Sequence, residues 1–232
     1  DELCGNRPVI GDLFAGRPDD VADLAVDGLG AVVRQAFDEC AVDRERRQLF
    51  DQAVSNPGVR AVVLDIDSPG GGVDGIPELW SKVHEARSSK RTIAVANSMA
   101  ASAAYWLASA ASEIVVTPSG RVGSIGVLAA HQDISKHMEE QHVIKTTLVS
   151  AGRRKIEGNP FGPLDDDARA ALQSEVDRYY GMFLDAVARG RGRRRETIRS
   201  GFGEGAMVGA EAAVAEGMAD RVGTLDQVFE KL

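Results

Sequence analysis

Residues 60–66 of this chain read RAVVLDI and lead into the turn Ser68-Pro69-Gly70-Gly71-Gly72. An apolar run of that length without alternation predicts a strand buried on both faces. Strands of that kind belong to parallel sheets, because crossover helices cover both sides of them. A helical bundle or a half-solvated antiparallel sheet would show a different period.

The flanking segments agree. A helix is expected over 43–55, with Leu49, Phe50 and Val54 on its apolar face and Asn56-Pro57-Gly58 as its stop. After the glycine turn come a helix over about 77–88, a short strand over 92–96, a helix over about 102–112 and a strand over 113–117. Extended segments follow at 122–130 and 143–149, the second read as a strand. Residues 165–189 read as one long amphipathic helix, with Leu172, Val176, Tyr180, Phe183, Leu184 and Val187 at helical spacing. Asp165, Asp166 and Asp167 stand at its N-terminus, where negative charge is favoured. Shorter helices run on to Leu232. Strand–helix–strand alternation with short connections predicts an α/β fold with a parallel sheet. In the first 40 or so residues Pro8-Val9-Ile10 reads as a short strand, and glycine and aspartate then break the pattern up to Gly30.

Composition narrows the function. The net charge of −8 argues against general nucleic-acid binding. Arg189, Arg191, Arg193, Arg194 and Arg195 read as a solvated helix end with charge suited to a C-terminus. No apolar run reaches the ~18 residues of a membrane span, and no secretory signal is visible. Cys4 and Cys40 have no metal-binding spacing and make no disulfide framework, which points to a reducing compartment. His84, His131, His137 and His142 form no metal-ligand pair and read as surface or packing residues.

Ligands in parallel sheets bind outside the carboxyl ends of the strands. Two glycine- or alanine-rich segments fall there. In the turn 68–72, three glycines let backbone N–H groups face a bound atom, although a tight turn alone would also want them. In Asn97-Ser98-Met99-Ala100-Ala101-Ser102-Ala103-Ala104, Ser102 sits where a strand gives way to a helix. Helical N–H groups beside its hydroxyl could hold an oxyanion, and an ordinary N-cap would look the same. A serine nucleophile needs a base. No histidine occupies a comparable place, but Lys155 does, following the strand expected at 143–149. A lysine acts as a base only when burial or positive neighbours lower its pKa from ~10.4 toward ~7–8. Arg153 and Arg154 would push that way if they point at it.

Four strings in this order resemble the S49 peptidase family: DIDSPGGGV (65–73), AASAAYWLAS (100–109), VGSIGV (122–127) and SAGRRKIEGNP (150–160). That family includes signal peptide peptidase A and the phage prohead, or capsid assembly, proteases. The resemblance runs over about 58–225, and ASAAYW together with the GNP after the lysine is closer to the phage branch. The first 45 residues match poorly, which divides the chain into an N-terminal segment, 1–45, and a single peptidase-type domain, 46–232. It implies a ClpP/crotonase-like fold of stacked βαβ units with C-terminal helices. It also implies a serine endopeptidase with Ser102 as nucleophile, Lys155 as base, Gly71 and Ala103 as oxyanion-hole N–H donors and Ser124 orienting the lysine. No metal or cofactor is implied. Expected substrates are scaffold or capsid proteins, with residual signal peptides as the alternative. The expected assembly is a homo-oligomer, a ring or dome. The expected place is the cytoplasm of a bacterial host or a procapsid interior, or a membrane reached through a segment before residue 1. The same fold hosts acyl-CoA hydratases and isomerases. Those would want carboxylates at the oxyanion hole, for which Asp67 and Asp74 are the near candidates, and would leave Ser102 and Lys155 idle.

Overall fold

The computed structural model describes residues 26–27, 30–35, 44–142 and 145–232. In chain order these form β1 (Val26–Asp27), β2 (Gly30–Gln35), α1 (Arg44–Ser55), β3 (Ala61–Ser68), α2 (Ile76–Ala86), β4 (Arg91–Ala101), α3 (Ala103–Ala108), β5 (Glu113–Val116) and β6 (Arg121–Gly123). Then come α4 (Ser135–His142), α5 (Asp166–Arg191), α6 (Arg195–Ser200), a 3-10 turn (Phe202–Gly205), β7 (Met207–Gly209), α7 (Ala210–Glu216), β8 (Arg221–Val222) and α8 (Leu225–Phe229). They fall into two compact units. One holds the described residues up to Gly126 together with Met182–Leu232, and the other is Val127–Gly181.

The first unit is built on a sheet ordered β1-β2-β3-β4-β5-β8. Pairing is parallel from β2 through β5 to β8, and β1 joins β2 antiparallel. The apolar run at 60–66 becomes β3, in which Ala61, Val62, Val63, Leu64 and Ile66 are all buried, as a doubly covered strand requires. Ile76, Leu79, Trp80, Val83 and Ala86 are the buried side of α2, and all six residues of α3 are buried. β2, in the segment before residue 46, escaped the sequence reading because GAVVRQ is short and surrounded by glycine and aspartate. Pro8-Val9-Ile10 lies outside the described residues.

β4 is twice the predicted strand and explains how the sheet bends. Its first part pairs with β5 (Ile93↔Glu113 to Ala96↔Val116). Its last part pairs with β6 (Met99↔Arg121 to Ala101↔Gly123). Between them the register with β3 shifts: Ile66 faces Ala96, but Ser68 faces Ala100. Such a bulge bends the strand and re-aims the residues beyond it.

Close packing of α5 on α3 rests on one glycine. A Cβ at Gly190 would lie 2.0 Å from the Ser109 carbonyl oxygen, a backbone atom that cannot turn aside. Beside it Ser109 Oγ accepts from Trp80 Nε1 at 2.9 Å, and Trp106 stacks on Phe183 with ring centroids 4.6 Å apart. Gly190→Ala is therefore expected to cost about 3 kcal/mol through overpacking. For a chain of this size that lowers Tm by ~6–12 °C, a shift that calorimetry would detect.

Two expectations need correction. The arginines in the last turn of α5 are not merely solvated: Arg191 makes a two-pronged bond to Asp220 (2.8 and 3.0 Å) and Arg189 lies 4.3 Å over the Trp80 ring. Over its described residues the strand expected at 143–149 is not formed: 145–150 are exposed and pair with no strand among the described residues. Leu148 and Val149 look apolar enough for a strand but have no neighbouring strand among the described residues to complete their hydrogen bonds. Likewise only 121–123 of the segment around 122–130 is a strand.

Candidate active site

Three strand ends converge at one place in the first unit. β3 ends at Ser68, β4 at Ala101 and β6 at Gly123. Ala101 and Gly123 are register partners, and Ser102 and Ser124 follow directly on the ends of these two neighbouring strands. Ser102 N–H donates to Gly123 O at 2.9 Å, and Ser124 N–H donates to Ala206 O at 2.9 Å. Both serines are half-buried. Sequence reading singled out both, and the sheet brings them together.

Ser102 has φ 51° and ψ −123°, a conformation that side-chain-bearing residues rarely adopt. It joins the end of β4 to the start of α3, which forces a sharp turn and thrusts the side chain out of the junction. The same strand–strained serine–helix geometry exposes nucleophiles in other hydrolase folds. Small residues make it feasible: Ala100 and Ala104, two positions either side, are fully buried. The non-glycine residues with positive φ among those described are Ser102, Ser124, Phe202 and Glu204. The last two lie in the 3-10 turn just before Ala206, whose carbonyl holds Ser124. Strain of about 1–3 kcal/mol per residue persists only where the surroundings enforce it, and it concentrates at functional sites.

The glycine turn after β3 lies against this serine. Gly70 has φ 99°, and a Cβ there would come 2.7 Å from Ser102 Cβ, 2.8 Å from Ala101 O and 3.1 Å from Ala103 N. Gly71, by contrast, faces open space. Gly70 N–H is occupied by Ser68 Oγ at 3.1 Å. No acceptor is recorded among the described residues for the N–H of Gly71, nor for that of Ala103 at the first position of α3. Sequence reading chose Gly71 and passed over Gly70 and Ser68, although Ser-Pro-Gly is itself a turn signal. The result is a half-buried hydroxyl on a strained junction, flanked by the turn that carries Gly71 and by the first N–H of a helix. This is the equipment for attacking a carbonyl and holding the resulting oxyanion.

Lys155 belongs to the second unit. It is exposed, and it sits in the turn region 151–158 rather than after a strand, with its N–H donating to Gly152 O at 3.0 Å. The neighbouring arginines face carboxylates: Arg154 Nε is 2.8 Å from Glu157 Oε1, and Arg153 is 3.9 Å from Asp167. In the same unit Ile134 N–H donates to Pro160 O at 2.8 Å, and His131 Nε2 lies 3.1 Å from Gly162 O. Asp165 caps α5, its carboxylate accepting from Ala168 N–H at 2.7 Å.

Residues 84–232 match the model of peptidase family S49. The chain is 38% identical over 173 residues to capsid assembly protease C of Escherichia phage lambda, covering 75% of this chain and 39% of the phage protein. It is 37% identical over 168 residues to head-tail preconnector protein GP5 of Enterobacteria phage P21, covering 72% and 32%. Protease 4 of Salmonella typhi is 28% identical over 177 residues, covering 76% and 28%. The chain thus spans well under half the length of each. Among solved structures, the 1510-N membrane-bound stomatin-specific protease superposes with a TM-score of 0.56 at 13% identity, covering 88% of this chain and 83% of that one. That likeness concerns the fold, an α/β architecture of the ClpP type. With a family model covering most of the chain and two phage relatives above 30% identity, this chain belongs to peptidase family S49.

Proposed function

We propose that this chain is a serine endopeptidase in which Ser102 is the nucleophile and Lys155 its general base. The observation that carries the reading is the strained Ser102 junction lying against the Gly70–Gly71 turn. In the proposed cycle, neutral Lys155 Nζ takes the Ser102 hydroxyl proton as Oγ attacks the scissile carbonyl carbon. The carbonyl π electrons move to oxygen, and the N–H groups of Gly71 and Ala103 donate to that oxyanion. Losing one such donor typically raises the barrier by ~2.7–4 kcal/mol. The tetrahedral species collapses, and the departing amine takes the proton from Lys155. Water then attacks the acyl ester on Ser102, its proton passing through Lys155 back to the serine. Ser124 orients the lysine amine. No step needs a metal or cofactor.

The phage relatives point to capsid or scaffold polypeptides as substrates, within a host cytoplasm or a procapsid. Degradation of residual signal peptides is the runner-up. No helix among the described residues is long and apolar enough to cross a membrane. The test of function is hydrolysis of an unstructured polypeptide by the purified chain, with an acyl-CoA as control ligand. Peptide cleavage without a thermal shift from the acyl-CoA is expected. A shift without cleavage would favour the hydratase or isomerase reading.

The active form is proposed to be a homo-oligomer. A base lysine must be desolvated, and Lys155 is exposed in the single chain. Along α5 Phe183 is buried, whereas Tyr179, Tyr180 and Met182 are only half-buried, leaving aromatic and Met surface of the kind enriched at interfaces. Mixing inactive Ser102→Ala with inactive Lys155→Ala protein tests whether the dyad is shared. Recovered turnover would mean that the two residues come from different copies, and full activity at monomer mass in light scattering would exclude the oligomer.

A further inference from the structure

Ser68 is the last residue of β3 and only 1% exposed. A hydroxyl so deeply buried must be hydrogen-bonded or it destabilises the fold. Its partner is the Gly70 N–H, donating to Ser68 Oγ at 3.1 Å across two residues, a serine turn that competes with continued strand pairing. The chemistry of the next residues then leaves one donor. Pro69 has no N–H. Gly70 N–H is committed to Ser68. Gly71 N–H is the first in the turn with no recorded acceptor among the described residues, and a Cβ at Gly71 would meet nothing within 4 Å.

The same bond fixes which way the turn faces. Pro69 has a locked φ, so pinning the Gly70 N–H sets the plane of the Pro69–Gly70 peptide. Gly70 then takes φ 99° with its α-carbon pressed toward Ser102. From that point the Gly71 N–H direction follows. Ser68 is held in register by its own pairing with Ala100, two residues before the nucleophile, on the far side of the β3–β4 register shift. One buried residue is therefore tied both to the turn and to the strand that delivers Ser102.

We infer that Ser68 is a positioning residue of the oxyanion hole: its hydroxyl, by occupying the Gly70 N–H, aims the Gly71 N–H at the oxygen of the transition state. The inference rests on the serine-peptidase reading above. An effect of this kind falls on the transition state, where the oxyanion exists, and leaves ground-state binding of the peptide nearly unchanged.

The experiment compares Ser68→Ala, Ser68→Cys and Ser68→Thr with the unaltered chain, using a peptide substrate and a peptide aldehyde that forms a tetrahedral adduct. Ser68→Ala is expected to lower kcat by roughly 10- to 100-fold, as mis-aimed oxyanion donors do. KM should stay within about threefold, and the aldehyde should bind more weakly by the same factor as kcat falls. Ser68→Cys keeps the packing with a poor acceptor. It should show the same split, including where the alanine variant does not fold. Ser68→Thr, which retains the hydroxyl, should recover most of the rate. A kcat within about threefold of the unaltered chain in Ser68→Cys, a KM for the peptide that rises as much as kcat falls, or a threonine variant no better than cysteine would each overturn the inference. Those results leave the nucleophile assignment standing. That assignment falls separately if Ser102→Ala still turns over the same peptide.

Discussion

Ser102→Ala is expected to lower peptide hydrolysis at least ~10⁴-fold, because every later step needs the ester on that oxygen. The fold should be untouched. Alanine meets the same backbone strain at φ 51° and ψ −123°, and no hydrogen bond of the Ser102 hydroxyl is recorded among the described residues. Its stability should stay within about 1 kcal/mol of the unaltered chain. Ser102→Gly is the informative companion. Glycine reaches positive φ with little cost, so this variant should be as inactive yet more stable by about 1–2 kcal/mol, within the strain such a residue stores. Denaturant midpoints beside turnover numbers check both. An inactive glycine variant less stable than the unaltered chain would mean the junction is not strained, and strain is the observation on which the nucleophile assignment rests.

Lys155→Arg should be as inactive as Lys155→Ala, with at least a ~10³-fold loss, because guanidinium stays protonated and cannot accept the serine proton. The charge is retained, so this substitution separates a proton acceptor from an electrostatic anchor. With the native lysine, kcat/KM should climb with pH as the amine becomes neutral. A base works only when deprotonated, so activity is lost as pH falls. A rate flat from mildly acidic to alkaline pH, or an active arginine variant, would assign the base elsewhere. The Ser102 variants bear on the proposed nucleophile, and the Lys155 variants with the pH profile on the proposed base.

Much of this was legible in the sequence for identifiable reasons. β3 declared itself because burial on both faces leaves no room for alternation, and residues 61–64 and 66 are indeed buried. Ser102 stood out because alanines crowd it at a strand–helix junction, and the same small residues permit its strained backbone. The hidden part depends on register. Nothing local reveals that β4 leaves β5 for β6, yet that switch sets Ser124 beside Ser102. Gly70 was overlooked in favour of Gly71, because a close approach to Ser102 cannot be seen from three glycines in a row. The strand expected before Lys155 failed for the opposite reason: Leu148 and Val149 carry strand-like apolarity, but no strand among the described residues pairs with them. Periodicity reports what a segment could bury and not whether a partner exists.

The nucleophile assignment is tested most directly by covalent capture. The chain is treated with a serine-directed phosphonate, digested and mapped by mass spectrometry. A single adduct on the peptide containing Ser102, absent from Ser102→Ala and much slowed in Lys155→Ala, is the predicted result. An adduct on Ser98, Ser124 or any other hydroxyl, with Ser102 unmodified and activity lost, would contradict it.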